Sequence, residues 1–278
     1  MTEEMSTLYA HTSALWAEAM DHSRSLPTIG EQAAYWDRTV ERYEEQSAAH
    51  RSMAEFCVRA LEDRGLLDCE SALEIGCATG DLTRLLAARI GSVTGMDISE
   101  AMLRRAREKD AEAGLSRIRR LRGDYRELDG AERFDLVGAS LVPATYSEPG
   151  LRKMIELSRK GGFFLSGCGA LDHGSPVYSE LGRLLLGREG QNRQDAIYPF
   201  NLLYALGKHP EIRYRRSSAT ERWDEETAVR DLRLYFQNVK GLPPDSDAIV
   251  AAYVRERLVD GLFPMERRTC FAVVTWID

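Results

Sequence analysis

The chain has 278 residues, and its 37 Lys and Arg against 44 Asp and Glu leave a net charge of −7. That length suits one α/β core with added segments, and a hydrophobic fraction of 44% fills it without disulfides. The acidic balance argues against a nucleic-acid partner, which needs a basic footprint. A mean hydropathy of −0.37, with no apolar run near the roughly 18 residues of a membrane helix, argues against a membrane span.

The first residues, MTEEMSTLYAHTS, are polar and acidic and do not read as a secretory signal. Five cysteines (Cys57, Cys69, Cys77, Cys168 and Cys270) make an odd count with no C-x-x-C pair. Reduced thiols in a cytoplasmic protein are expected, without a metal site. Of the basic residues 32 are Arg and 5 are Lys, a bias that points to a GC-rich bacterial genome. Two basic runs, Arg117, Arg119, Arg120 and Arg122, and Arg213, Arg215 and Arg216, read as solvated strand faces.

In chain order, helices are expected over 8–20, over 32–46 with Tyr35, Trp36, Val40 and Tyr43 near helical spacing, and over 48–64, stopped by Gly65. The period then changes. Short apolar runs at 72–75, 93–96, 118–121, 134–139 and 163–167 read as strands. Between them, Leu82, Leu85, Leu86 and Ile90 mark one helix, Ser99 caps a second, and Pro149 opens a third. Strands alternating with helices give an α/β fold with a Rossmann-like, doubly wound, mostly parallel sheet covered by helices on both faces. Residues 171–201 are irregular with one helix at 178–186 and are read as a lid over the ligand edge. A strand at 211–217, helices at 224–237 and 245–260, and a strong antiparallel C-terminal strand at 269–277 complete the reading. The expected division is a helical cap over 1–46, a core over 47–170, a lid over 171–210 and completion of the sheet over 211–278.

The chemistry is concentrated in Leu73-Glu74-Ile75-Gly76-Cys77-Ala78-Thr79-Gly80-Asp81-Leu82. A strand ends beside an acid and a turn of small residues enters a helix, so a ligand can lie against backbone near free N–H groups. Asp97 follows Gly76 by 21 residues, where an acid accepts hydrogen bonds from ribose hydroxyls. The dinucleotide pattern G-x-G-x-x-G is not met: Ala78 and Asp81 stand at its second and third glycines. Glu74 and Asp81 would repel a pyrophosphate and suit a cationic ammonium or sulfonium.

These residues resemble the class I S-adenosylmethionine-dependent methyltransferases over about 35–167. EIGCATG is similar to the family's first motif, with Ala78 for its middle glycine. VTGMDISEAML is similar to the second, RGDYREL to the third and FDLVGASLVPATY to the fourth. The resemblance implies a cofactor, S-adenosyl-L-methionine, leaving as S-adenosyl-L-homocysteine. It implies that Asp97 holds the ribose, with Glu74, Gly76, Cys77, Ala78 and Gly80 along the cofactor loop. Ile98 and Met102 would flank the adenine, Asp124 would bind its amino group and Tyr125 would lie beside it. Ser140 would begin the loop facing the methyl group. YWDRTVERYEE resembles the N-terminal segment that closes the methionine end, through Tyr43. Cys77 reads as a turn filler, since nothing at this spacing lowers its pKa.

His173, after the fifth strand, and Tyr146, after the fourth, are the candidate catalytic bases. The expected reaction is methyl transfer to an O or N atom of a small molecule, plausibly in bacterial natural-product biosynthesis. An RNA or protein methyltransferase and a non-catalytic S-adenosylmethionine-binding protein are the alternatives. No nucleic-acid or membrane partner is expected, and a homodimer is possible.

Overall fold

The computed structural model describes residues 2–21, 28–168, 175–187, 195–236 and 241–278. Seven strands form one sheet: β1 (Ser71–Ile75), β2 (Ser92–Asp97), β3 (Ile118–Arg122), β4 (Phe134–Ser140), β5 (Ser158–Gly167), β6 (Glu211–Trp223) and β7 (Phe263–Ile277). Their order is β3-β2-β1-β4-β5-β7-β6. β1 to β5 are parallel, and β7 runs antiparallel to both β5 and β6. The strand order reverses between β1 and β4. In open α/β sheets that switch point opens a crevice at the carboxyl ends of the strands.

β1 and β4 sit at the centre and are buried along nearly their whole length, with helices on both faces. Alternate side chains serve opposite cores. Leu73, Ile75, Val137 and Ala139 enter one, while Ala72 and Leu136 enter the other. Gly138 is the exception that packing requires, because a Cβ there would lie 1.8 Å from the Phe163 ring.

One face is covered by α4 (Ser47–Asp63) and α5 (Asp81–Ala87), through Cys57, Leu61, Leu82 and Leu86. Along the β2–β3 edge lies α6 (Glu100–Glu112), capped by Ser99, whose Oγ accepts the Met102 N–H at 3.1 Å. The other face is covered by α7 (Glu148–Leu157), α1 (Glu3–Asp21) and α9 (Ile197–Ala205). Trp16 of α1, 1% exposed, stacks on Tyr198 at 6.1 Å and meets Phe164 edge-on at 6.4 Å. The N-terminus is thereby sewn into the main core.

β6 and β7 outrun the sheet. Pairing of β5 with β7 ends at Gly167 and Phe271, but β6 and β7 stay paired to Trp223 and Phe263. On this two-stranded ribbon α8 (Pro176–Leu186), α10 (Glu225–Phe236) and α11 (Ser246–Glu256) build a second core around Leu181, Leu232, Phe236, Val254 and Met265. None of the described helices is long and apolar enough to cross a membrane, and all five cysteines are free thiols.

Several expectations need correction. The helix expected over 32–46 breaks at Thr39 into α2 (Ile29–Arg38) and α3 (Val40–Glu44). The Thr39 hydroxyl donates to the Tyr35 carbonyl at 3.1 Å, a local bond that competes with helix propagation. α9 was not expected at all, and β6 and β7 are each six residues longer than read. Arg120 is not on a solvated face. Its side chain is 2% exposed and bonds Asp110 through Nε at 2.8 Å and Nη2 at 2.9 Å. We expect Trp16→Ala to cost about 3–5 kcal/mol in urea unfolding, the scale for emptying a large aromatic site. A loss below about 1 kcal/mol would mean that α1 is not part of the cooperative core.

Candidate functional site

A cavity of about 450 Å³ opens at the carboxyl ends of β1, β2 and β4. Its floor is the hairpin between β1 and α5. Gly76 there has φ +68, and a Cβ would lie 2.3 Å from Val142 Cγ2. Glycine is needed both for the left-handed backbone and for that close approach. Ala78 is also left-handed, at φ +45, a strained state for a residue with a Cβ.

Asp97 holds that turn. Its Oδ2 accepts the Ala78 N–H at 2.9 Å, and its Oδ1 accepts the Ser99 N–H at 2.9 Å. Burial pushes its pKa up against these bonds. Glu74 projects from β1 beneath the hairpin, 3% exposed, and accepts the Thr83 hydroxyl proton. Burial raises its pKa to about 7, with Thr83 and Arg120 pulling the other way. The Cys77 thiol is pushed well above its ordinary value by burial and by Asp97 and Glu74, so it is no nucleophile.

The roof is the strap formed by α2, α3 and the start of α4, and two carboxylates fasten it. Asp37 accepts the Ser99 Oγ–H at 2.6 Å and the Ala101 N–H at 3.0 Å. The Ser99 bond leads in holding Asp37 below the usual carboxylate range. Glu44 accepts from Thr79 at 2.7 Å, Lys109 at 3.0 Å and Arg105 at 3.2 Å. Burial opposes its ionisation, but the bonds from Thr79 and Lys109 prevail and hold its pKa low.

Along the strap four rings follow one another into the cavity. Tyr35 and Trp36 meet edge-on at 5.1 Å, Trp36 and Tyr43 edge-on at 6.3 Å, and Tyr43 stacks on His50 at 3.9 Å. His50 lines the cavity, and its Nδ1 is buried without a hydrogen-bond partner. Burial lowers the His50 pKa, so the imidazole is neutral near pH 7.

Of the residues expected at the cofactor, Tyr43, Glu74, Gly76, Cys77, Asp97, Ile98, Met102, Asp124, Tyr125 and Ser140 all line this one cavity. Ala78 and Gly80 do not. The Ala78 N–H is spent on Asp97. Gly80 faces away, where a Cβ would lie 2.4 Å from Arg120 Nη2. Tyr146 is 3% exposed and packed edge-on against Phe164 at 5.3 Å in the core, outside the cavity lining. His173 lies outside the described residues. None of the described residues of 171–210 lines the cavity; α8 packs in the second core and α9 beside α1. His50, Asp37 and Glu44 were missed. Only the position of His50 seven residues after Tyr43 could have flagged it, and the two acids look like any others on a charged helix.

The lining separates by chemistry. Ile98, Met102 and Tyr125 offer apolar surface to a flat base beside the Asp97 carboxylate. Glu74, Asp81 and Asp97 put negative charge around Tyr43, and Arg42 is the one Lys or Arg among the described lining residues. A nucleoside bearing positive charge fits this lining. A pyrophosphate does not.

Residues 72–162 match the methyltransferase domain family. The chain is 44% identical over 94 residues to phosphatidylethanolamine N-methyltransferase of Cereibacter sphaeroides, covering 32% of this chain and 46% of that protein. It is 32% identical over 110 residues to demethylmenaquinone methyltransferase of Staphylococcus aureus, covering 37% and 45%. The chain thus spans less than half the length of these curated relatives. Among solved structures, magnesium protoporphyrin IX methyltransferase of Synechocystis with bound S-adenosylhomocysteine superposes with a TM-score of 0.54 at 13% identity, covering 98% of this chain and 99% of that one. That likeness concerns the fold.

Two outcomes test the site. Asp97→Ala should weaken S-adenosylhomocysteine binding by roughly 1.5–3 kcal/mol in calorimetry, the scale of a charged hydrogen bond; unchanged affinity in a folded variant refutes the ribose role. Glu74, with its raised pKa of about 7, contributes stability that is full below the unfolded value and is lost as pH rises through the folded one. Glu74→Gln should therefore gain on the order of 1–3 kcal/mol over wild type at about pH 8 and little at about pH 4. A pH-independent difference between the two proteins contradicts this.

Proposed function

We propose, from the premise that residues 72–162 form a methyltransferase domain of the class I S-adenosylmethionine-dependent family, that this chain transfers a methyl group to an oxygen or nitrogen atom of a small molecule. The observation that carries the reading is the cavity itself: a glycine hairpin pinned by Asp97, ringed by carboxylates and almost free of cations. S-adenosylmethionine, when bound, supplies the electrophilic methyl group.

The chain's own residues supply alignment and electrostatics. Asp97 takes the ribose hydroxyls; Ile98, Met102, Asp124 and Tyr125 hold the base; Glu74 and Asp81 offset the positive charge. The strap fastened by Asp37 and Glu44 covers the cavity and excludes water, which strengthens those interactions. In this reading 28–46 is the cap, with 2–21 packed in the main core, 47–170 is the cofactor core, and 171–278 adds flanking helices and completes the sheet. A small acceptor is supported by the acidic surface charge and by the acceptors named for the two curated relatives, a phospholipid amine and a demethylated quinone.

Removing a proton from a hydroxyl or ammonium acceptor requires a base. The His50 imidazole takes it: the ring lines the cavity and burial keeps it uncharged. Turnover should fall as pH drops through the lowered His50 pKa. His50→Asn should lose about 10²-fold in kcat and flatten that acidic limb, with S-adenosylhomocysteine affinity intact. Wild-type kcat in the variant removes His50 from the reaction, and failure of the wild-type protein to bind S-adenosylhomocysteine defeats the whole reading.

A further inference from the structure

The proposed reaction leaves the chemical class of the acceptor open, and the cavity rim speaks to it. Tyr35 is 48% exposed and Leu141 is 41% exposed, yet both line the cavity, so they form its mouth. Tyr35 and Trp36 present two large aromatic surfaces at right angles, 5.1 Å between centroids. Their positions follow from the break at Thr39, whose hydroxyl bonds the carbonyls of both Tyr35 and Trp36 at 3.1 and 3.4 Å. Across from the strap runs the loop after β4, where Val142, Pro143 and Ala144 give an apolar wall.

Leu141 stands out in that loop. Its φ is +57, the left-handed region that a branched side chain disfavours. Its N–H donates to the Leu165 carbonyl at 3.2 Å, which holds the backbone there. An isobutyl group kept in a costly conformation, partly in solvent, contributes little to the core. Such strain persists where a side chain must be aimed at something.

Charge narrows the class. The carboxylates of the cavity belong to the strand ends and the hairpin: Glu74, Asp81, Asp97 and Asp124. The lining residues of 29–46 and 140–144 include no carboxylate, and their one charged side chain is Arg42. A protonated alkylamine at this mouth would find no counter-ion, beside a donor that is itself cationic. A neutral or weakly anionic ring meets aromatic faces, an apolar wall and one guanidinium.

Resting on the methyltransferase reading, we infer that the acceptor is a flat aromatic ring bearing a hydroxyl, seated between the Tyr35–Trp36 pair and Leu141. These three residues select the acceptor and do not hold the cofactor. Aromatic faces reward a flat ring over a saturated one of equal size, through stacking beyond area burial.

The test is calorimetry on the full chain saturated with S-adenosylhomocysteine, titrated with 1-naphthol, cyclohexylmethanol and cyclohexylmethylammonium. 1-Naphthol should bind about tenfold tighter than either saturated probe. Trp36→Leu should abolish most of that preference. Leu141→Gly is the sharper variant, since glycine relieves the backbone and should leave the Tm equal or higher. Under the proposal it nonetheless weakens 1-naphthol about fivefold, with S-adenosylhomocysteine affinity within about twofold of wild type. Equal binding of the three probes, preference for the ammonium, no binding of any, or unaltered 1-naphthol affinity in both variants each overturns the proposal. Failure to bind S-adenosylhomocysteine at all would instead defeat the methyltransferase reading on which it rests.

Discussion

The Asp97 carboxylate is the joint on which the site depends. One oxygen fixes the left-handed Ala78 turn, and the other fixes the backbone of Ser99. Ser99 in turn caps α6 and donates its hydroxyl to Asp37 on the strap. Four elements (the hairpin, β2, α6 and, from far earlier in the chain, α2) are thus set relative to one another by a single side chain and its neighbour. The two bonds to Asp97 are charge-assisted and largely removed from water, where such bonds are strongest. The cost is a buried carboxylate, and the three backbone N–H groups that face it, from Ser99, Ala78 and Ile98, are what keep that cost bearable.

A second network lies below the first. Arg120 reaches from β3 under the hairpin to Asp110 and to the Thr83 hydroxyl, at 2.9 Å, and Thr83 meets Glu74. Gly80 and Gly95 make room for the guanidinium, since a Cβ at either would lie 2.4 Å from it. The glycine at 80 therefore makes room for a buried arginine. A motif glycine can be demanded by what lies behind the loop as much as by what lies in front.

Much of the architecture was legible. The change from helical to strand period after Gly65, and the acids at two strand ends, place the cavity at the right edge of the right sheet. The failures have physical causes. Ile197–Ala205 is apolar all round and carries Pro199, so it shows no amphipathic period; it is a helix because α1, far away in sequence, buries it. β6 is polar and mostly exposed, and its strand conformation is imposed by pairing with β7 along its whole length. Arg120 looked like its exposed neighbours because alternation along a strand says which face a residue takes, not what covers that face. Asp37 and Glu44 act across tertiary contacts that no local spacing encodes.

The overhanging β6–β7 ribbon makes the C-terminal helices a graft. Its strands leave and re-enter the sheet side by side, at Arg216 and Cys270, so everything between those positions is a cassette with adjoining ends. Such a cassette can be lengthened, trimmed or exchanged during evolution without disturbing any residue that lines the cavity. Divergence in the last third of the chain can then proceed at its own pace, while the sheet that carries the cavity stays constant.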